Sequence, residues 1–169
     1  MDQEVLNSRQ IVFTDEKMRI DEELLLFSSV KTDTYFSESN SMLFVKRQGY
    51  LVLDDFCHEQ NLIITVEGKK TLISGCSHAG IVNIQGKAEL IASDRMSTVI
   101  GGFHLYNPPT KKYESNVLID GVANALKEKE SDYYTCHCTG LKAYERMKFI
   151  LGDKLHYLST GTEVMIYDN

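Results

Sequence analysis

Thr71-Leu72-Ile73-Ser74-Gly75-Cys76-Ser77-His78-Ala79-Gly80-Ile81-Val82-Asn83-Ile84 changes its hydrophobic period halfway along. Up to Ser74 the run is short, apolar and bounded by turn residues, as a strand would be. Past Gly75 the apolar positions Ile81, Ile84, Ala88 and Ile91, with Leu90 beside them, share one face of a helix. His78-Ala79-Gly80 falls at the start of that helix, so a histidine sits where a strand hands over to a helix.

Working outward, residues 61–66 read as a strand joined to 71–74 through a hairpin turn at Glu67-Gly68-Lys69-Lys70. Short apolar runs at 10–13, 23–27, 42–46 and 50–53 are further strands, and the polar stretch 31–41 is expected to be an exposed loop. Downstream, a strand at 97–100 ends in Gly101-Gly102, and a helix follows over 117–129. A strand at 133–135 ends at Cys136-His137-Cys138-Thr139-Gly140, a helix covers 141–151, and short strands at 155–158 and 164–167 finish the chain. Strands alternating with helices after residue 61 define an α/β fold. With no repeat and no Pro-rich linker, residues 1–169 read as a single domain.

A hydrophobic content of 43% over 169 residues is enough for one packed core. The 18 basic and 24 acidic residues give a net charge of −6, which argues against a nucleic-acid partner. No apolar run approaches the roughly 20 residues of a membrane helix, and no membrane partner is expected. Met1-Asp2-Gln3-Glu4 lacks a secretory pattern, so a cytoplasmic location is expected. There, Cys57, Cys76, Cys136 and Cys138 read as free thiols or metal ligands rather than disulfides.

Three of the five histidines share a setting. His78, His104 and His137 each follow a short apolar strand within a glycine-containing turn. In α/β proteins the C-terminal ends of strands converge on one edge, where ligands bind. Imidazole and thiolate donors arriving there suit zinc or a similar metal, with Cys76 as the thiolate. The alternative is three separate turn histidines satisfied by the backbone. His58, in the polar cluster Asp54-Asp55-Phe56-Cys57-His58-Glu59-Gln60, is intermediate, and His156, in a strand without such a turn, reads as structural.

Four ordered motifs carry a family resemblance: His58-Glu59-Gln60-Asn61-Leu62, the stretch from Thr71 to Ile84, Gly101-Gly102-Phe103-His104-Leu105, and His137-Cys138-Thr139-Gly140. Together they resemble the metallo-β-lactamase superfamily, in the branch similar to dihydropterin–ribofuranosylaminobenzene phosphate synthase. The resemblance implies a four-layer αββα sandwich made of two αβ halves, with one or two metal ions between the sheets. The H-x-H-x-D-H loop of the first half has no counterpart here, since no two histidines lie two residues apart. The expected fold is therefore one half of the sandwich, the C-terminal one, with a mixed sheet and helices on one face. Met1 is then expected to be a misassigned start, the product of a split gene or a genuine remnant.

By position, His137 matches the family's last-strand ligand. Gly75-Cys76-Ser77-His78 matches the strand end that supplies a bridging ligand, and either Cys76 or His78 fills that place. His104 is expected to line the pocket as ligand or substrate contact. His58 and Glu59 occupy the place of a middle histidine ligand in a pattern that departs from the usual one. Glu59, His58, Ser77 and Thr139 are expected to support the ligands or touch substrate. The implied cofactor is zinc or another divalent metal such as manganese, held weakly or not at all by the isolated chain. The implied activity is hydrolysis of a small-molecule phosphoryl or acyl substrate. Half a sandwich leaves an apolar sheet face uncovered, so a homo-oligomer or a complementing N-terminal half is expected. Two other classes remain: a non-catalytic oligomeric or binding remnant with a vestigial cleft, and a thiol sensor using Cys76, Cys136 and Cys138.

Overall fold

A computed structural model describes residues 3–165. A short helix α1 (Gln3–Leu6) precedes strands β1 (Lys17–Arg19) and β2 (Leu24–Phe27). Two hairpins follow, β3 (Phe44–Arg47) with β4 (Tyr50–Leu53), and β5 (Asn61–Val66) with β6 (Lys69–Ile73). Helix α2 (Ile81–Ala92) leads into β7 (Thr98–Gly101), and a small hairpin of β8 (Tyr106–Asn107) and β9 (Lys112–Tyr113) comes next. Helix α3 (Asn116–Lys127), β10 (Asp132–Thr135), α4 (Leu141–Leu151) and β11 (Leu155–Tyr157) complete the described chain.

Seven strands form one mixed sheet in the order β1-β2-β5-β6-β7-β10-β11. The first four are antiparallel to their neighbours, and β6, β7, β10 and β11 run parallel. Each parallel step is a strand–helix–strand crossover in the same direction across the sheet, so the right-handed rule puts α2, α3 and α4 on one face. Helix α3 packs between α2 and α4 there.

The register separates the two faces. Leu25, Ile63, Leu72, Val99, Tyr133 and Leu155 are consecutive cross-strand partners, and all are buried, from 0% to 7% exposed. Burial of each such side chain contributes roughly 1.5–3 kcal/mol. This row meets Ile84 and Ala88 of α2, Val122 and Leu126 of α3, and Met147 and Leu151 of α4 in one core. The next row, Leu26, Leu62, Ile73, Ile100, Tyr134 and His156, points to the opposite face by strand alternation. Every member of that second row is only part-buried. An apolar row left half-covered is what a sheet shows when it lacks a second layer.

Three expectations need correction. Residues 10–13 are irregular rather than a strand, with Val12 65% and Phe13 72% exposed. The edge beside β2 is taken by Lys17–Arg19, whose charges suit an unprotected edge. The stretch 31–41 is not a plain exposed loop, because it ends in a 3-10 turn (Glu38–Met42) with Ser37 and Asn40 buried. In the expected strand 164–167, Val164 and Met165 are irregular, and the rest lies outside the described residues.

Leu72 and Ile73 are neighbours in one strand that face opposite ways. Leu72→Ala is expected to lower the unfolding free energy by roughly 2–5 kcal/mol. Ile73→Ala is expected to cost less than half as much in this chain. Chemical denaturation of both variants checks the one-sided core.

Candidate functional site

Parallel neighbours deliver their C-terminal ends to one edge, and here the turns after β6, β7 and β10 are tied together there. The Ser74 N–H donates to the Ile100 carbonyl at 2.8 Å, and the Gly102 N–H donates to the Gly75 carbonyl at 2.8 Å. The Leu105 N–H reaches the Cys138 carbonyl at 3.0 Å. Gly101 and Gly102 permit the approach: a Cβ on Gly101 would stand 2.7 Å from the Ser74 oxygen, and one on Gly102 would stand 2.6 Å from Cys138 Sγ. A side chain at Gly101 would have to move backbone, and one at Gly102 would have to displace the Cys138 sulfur.

His78 and His104 meet in this knot, with ring centroids 4.0 Å apart. His78 also stacks on Phe56, at 4.5 Å and 11° between planes. Both nitrogens of the His104 ring are buried and lack a hydrogen-bond partner among the described residues. A cavity of about 10 Å³ bordered by both rings, Ser77 and Phe103 lies beside them, about the space one water needs. Burial, with help from the neighbouring His78, pulls the His104 pKa down to about 4. A neutral imidazole with both nitrogens unpaired has the chemistry of a ligand that lacks its partner.

Cys76 lies in the turn between β6 and His78. The neighbouring Cys138 side chain, and after it His78, outweigh partial burial and bring Cys76 from its ordinary 9.0 to about 4. Cys138 is pushed up by the same contact with Cys76 and by burial. The Cys138 thiol donates to the Cys76 carbonyl at 3.4 Å. His137 is exposed on the rim, and no side-chain hydrogen bond among the described residues ties it to the two histidines.

Left-handed backbone occurs at several residues around this edge. Phe56, Ser77, His104 and His137 all have positive φ, from 49° to 58°. Left-handed backbone at four non-glycine residues around one cluster is a recognised mark of functional sites.

The remaining expected residues have other duties. His58 is 68% exposed in its side chain and stands 3.7 Å from Asp54, with its ring 6.3 Å from that of Phe56. Its neighbour Glu59 reaches inward, accepting from the His78 N–H at 2.8 Å and the Ala79 N–H at 3.2 Å. The Ser77 hydroxyl pairs with that of Ser74 at 2.9 Å. The Thr139 hydroxyl accepts from the Phe103 N–H at 2.9 Å and pairs with Thr135. Both are committed to holding the turns. Asn40, Phe56 and Glu114 were not anticipated: Asn40 bonds His78, and Glu114 anchors the segment that carries Asn40.

The donors present are imidazole nitrogens and a thiolate, the right kinds for zinc. They do not make a complete metal site by themselves: among the described residues, no group of three or more His, Cys, Asp or Glu is arranged to hold an ion. A wider concavity, about 1160 Å³ along α2, has no histidine or cysteine on its walls. Some of its charged side chains pair with each other, Lys129 with Glu89 at 2.6 Å and Arg95 with Glu130. We therefore place the site at the strand edge rather than in that groove.

The depressed His104 pKa has a sign that can be tested. Above the ordinary value of 6.5 the ring is neutral folded or unfolded, and pH has no effect through it. Between 6.5 and about 4 the unfolded chain takes a proton that the folded one refuses, so stability falls with pH. The full loss is on the order of 3 kcal/mol. Denaturant unfolding near neutrality and at about pH 5 is expected to differ less in His104→Asn than in the unaltered chain.

No protein-family model matches the chain. It is 36% identical over 103 residues to 7,8-dihydropterin-6-methyl-4-(β-D-ribofuranosyl)-aminobenzene-5′-phosphate synthase of Methanocaldococcus jannaschii, covering 60% of this chain and 33% of that protein. An uncharacterized protein of the same archaeon is 26% identical over 143 residues, covering 85% of this chain and 50% of its own. The chain thus spans between a third and a half of these curated relatives. Among solved structures, a metal-dependent hydrolase of the β-lactamase superfamily superposes with a TM-score of 0.77 at 26% identity, covering 92% of this chain and 58% of that one. Sequence and backbone point the same way: the chain is built on the metallo-β-lactamase fold and is similar in sequence to that superfamily's dihydropterin–ribofuranosylaminobenzene phosphate synthase branch.

Proposed function

We propose that this chain supplies one αβ half of a metal-dependent hydrolase, acting on a small phosphoryl or acyl substrate, and that a complementing half provides the missing metal donors. The observation that supports it most is a coincidence in space. His78, His104 and Cys76 gather at the strand edge, while the sheet face away from the helices leaves the row Leu26-Leu62-Ile73-Ile100-Tyr134 part-covered. A second αβ layer laid on that face would cover the row and bring further donors to the same edge. The structural neighbour that shares this fold is described as a metal-dependent hydrolase.

In such enzymes a divalent ion such as zinc or manganese supplies Lewis acidity and an activated water. This chain's own share is to hold the two imidazoles and the Cys76 sulfur in fixed places and to exclude bulk water from His104. A second reading, an oligomeric binding domain with a vestigial cleft, is favoured by one observation: the described residues offer no three-donor group.

Light scattering near micromolar concentration is expected to show a dimer or larger assembly, because the part-covered row needs a partner. Charged substitutions in that row, Ile73→Glu with Ile100→Glu, are expected to release monomer. A monomer from the unaltered chain would remove the basis for a missing layer. Phosphodiester and lactam hydrolysis by the chain alone, with zinc or manganese added, is expected at background. Chelator-sensitive turnover by the chain alone would show that its donors suffice.

A further inference from the structure

Asn40 is fully buried and makes two hydrogen bonds to one residue. Its Nδ2 donates to the His78 carbonyl at 2.7 Å, and its Oδ1 lies 3.1 Å from His78 Nδ1. A backbone carbonyl can only accept, so the amide nitrogen of Asn40 must face it. The amide oxygen then faces the ring, and because that oxygen can only accept, Nδ1 must carry the proton. We infer that Asn40 is a positioning residue that fixes neutral His78 as the Nδ1–H tautomer and leaves Nε2 as its lone-pair nitrogen.

The rest of the surroundings keeps the arrangement from relaxing. The Asn40 segment is pinned from behind by the Glu114 carboxylate. That group accepts from the Ser37 hydroxyl at 2.6 Å, the Ser39 hydroxyl at 2.7 Å, the Ser39 N–H at 3.1 Å and the Glu38 N–H at 3.1 Å. Glu59 holds the His78 and Ala79 amides from another side, and the Phe56 ring lies flat against the imidazole. A ring so held cannot turn over to exchange its nitrogens without breaking the Asn40 bond and the stack. With Nδ1 committed, Nε2 is the nitrogen left for an incoming group. A neutral imidazole with a defined lone pair is what a ligand or a proton acceptor requires, and the partner on the other nitrogen selects it.

This assignment does not depend on the proposed function, because the two bonds to Asn40 exist in the chain as it stands. Ring nitrogen–proton correlation spectra of the ¹⁵N-labelled full chain test it, recorded at alkaline pH where imidazoles are neutral, with His78 assigned from the His78→Gln spectrum. The expected result is a pyridine-type Nε2 and a pyrrole-type Nδ1 for His78. Asn40→Leu is expected to shift the ring to Nε2–H, the tautomer that free histidine prefers. Asn40→Asp keeps the acceptor and is expected to restore Nδ1–H. An Nε2–H ring in the unaltered chain would overturn the inference, and so would an Asn40→Leu spectrum that keeps Nδ1–H. The spectrum of the unaltered chain decides even where Asn40→Leu fails to fold. Failure to bind metal would leave all of these spectra unchanged, so the two ideas can fail separately.

Discussion

Two backbone hydrogen bonds, Ser74 N–H to Ile100 O and Gly102 N–H to Gly75 O, each 2.8 Å, extend the pairing of β6 and β7 past the strand ends. They carry the pairing into the turns. Because of them, His78 and His104 arrive at 4.0 Å instead of splaying apart as loops usually do. The missing side chains of Gly101 and Gly102 are the condition for this contact, since a Cβ at either would collide with the neighbouring turn. Everything chemical in the chain follows from that convergence: the buried unpaired imidazole, the acidic thiol of Cys76 and the strained backbone around them.

The sheet that delivers these turns is unevenly used. One face carries a buried row from Leu25 to Leu155 under three helices, and the other carries a parallel row that stays part-covered. On the reading proposed above, a second layer over that part-covered row is the route by which further donors would reach the edge. Exposed apolar side chains on the β3–β4 hairpin, among them Phe44 at 57%, Tyr50 at 76% and Leu51 at 73%, mark a further surface that this chain does not cover itself.

The parts legible in the sequence are those where one local pattern is enough. The helix of residues 141–151 and the turn at Glu67-Gly68 follow from period and turn chemistry alone, and the ordered motifs marked the fold. Polar loops are different, because their composition reads alike whether they face water or fold back. The stretch 31–41 looked solvated, yet Asn40 and Ser37 are buried through bonds to residues 38 and 77 positions away. His58 and Glu59 show the same limit at finer scale. Both are polar neighbours, and a left-handed turn at Phe56, with φ 52°, precedes an arrangement in which Glu59 holds the His78 loop while His58 stays in solvent. The run at 10–13 was apolar enough for a strand, but the place beside β2 is taken by Lys17–Arg19.

Metal retention tests most directly whether this chain holds one side of a centre rather than a whole one. The purified chain is loaded with zinc, dialysed against a weak chelator and assayed for metal per chain, alongside His78→Ala and His104→Asn. The two imidazoles and the Cys76 thiolate are expected to retain well under one equivalent, with the variants lower still. One full equivalent of zinc, surviving dialysis in the chain alone and lost on replacing His78, would contradict the half-site.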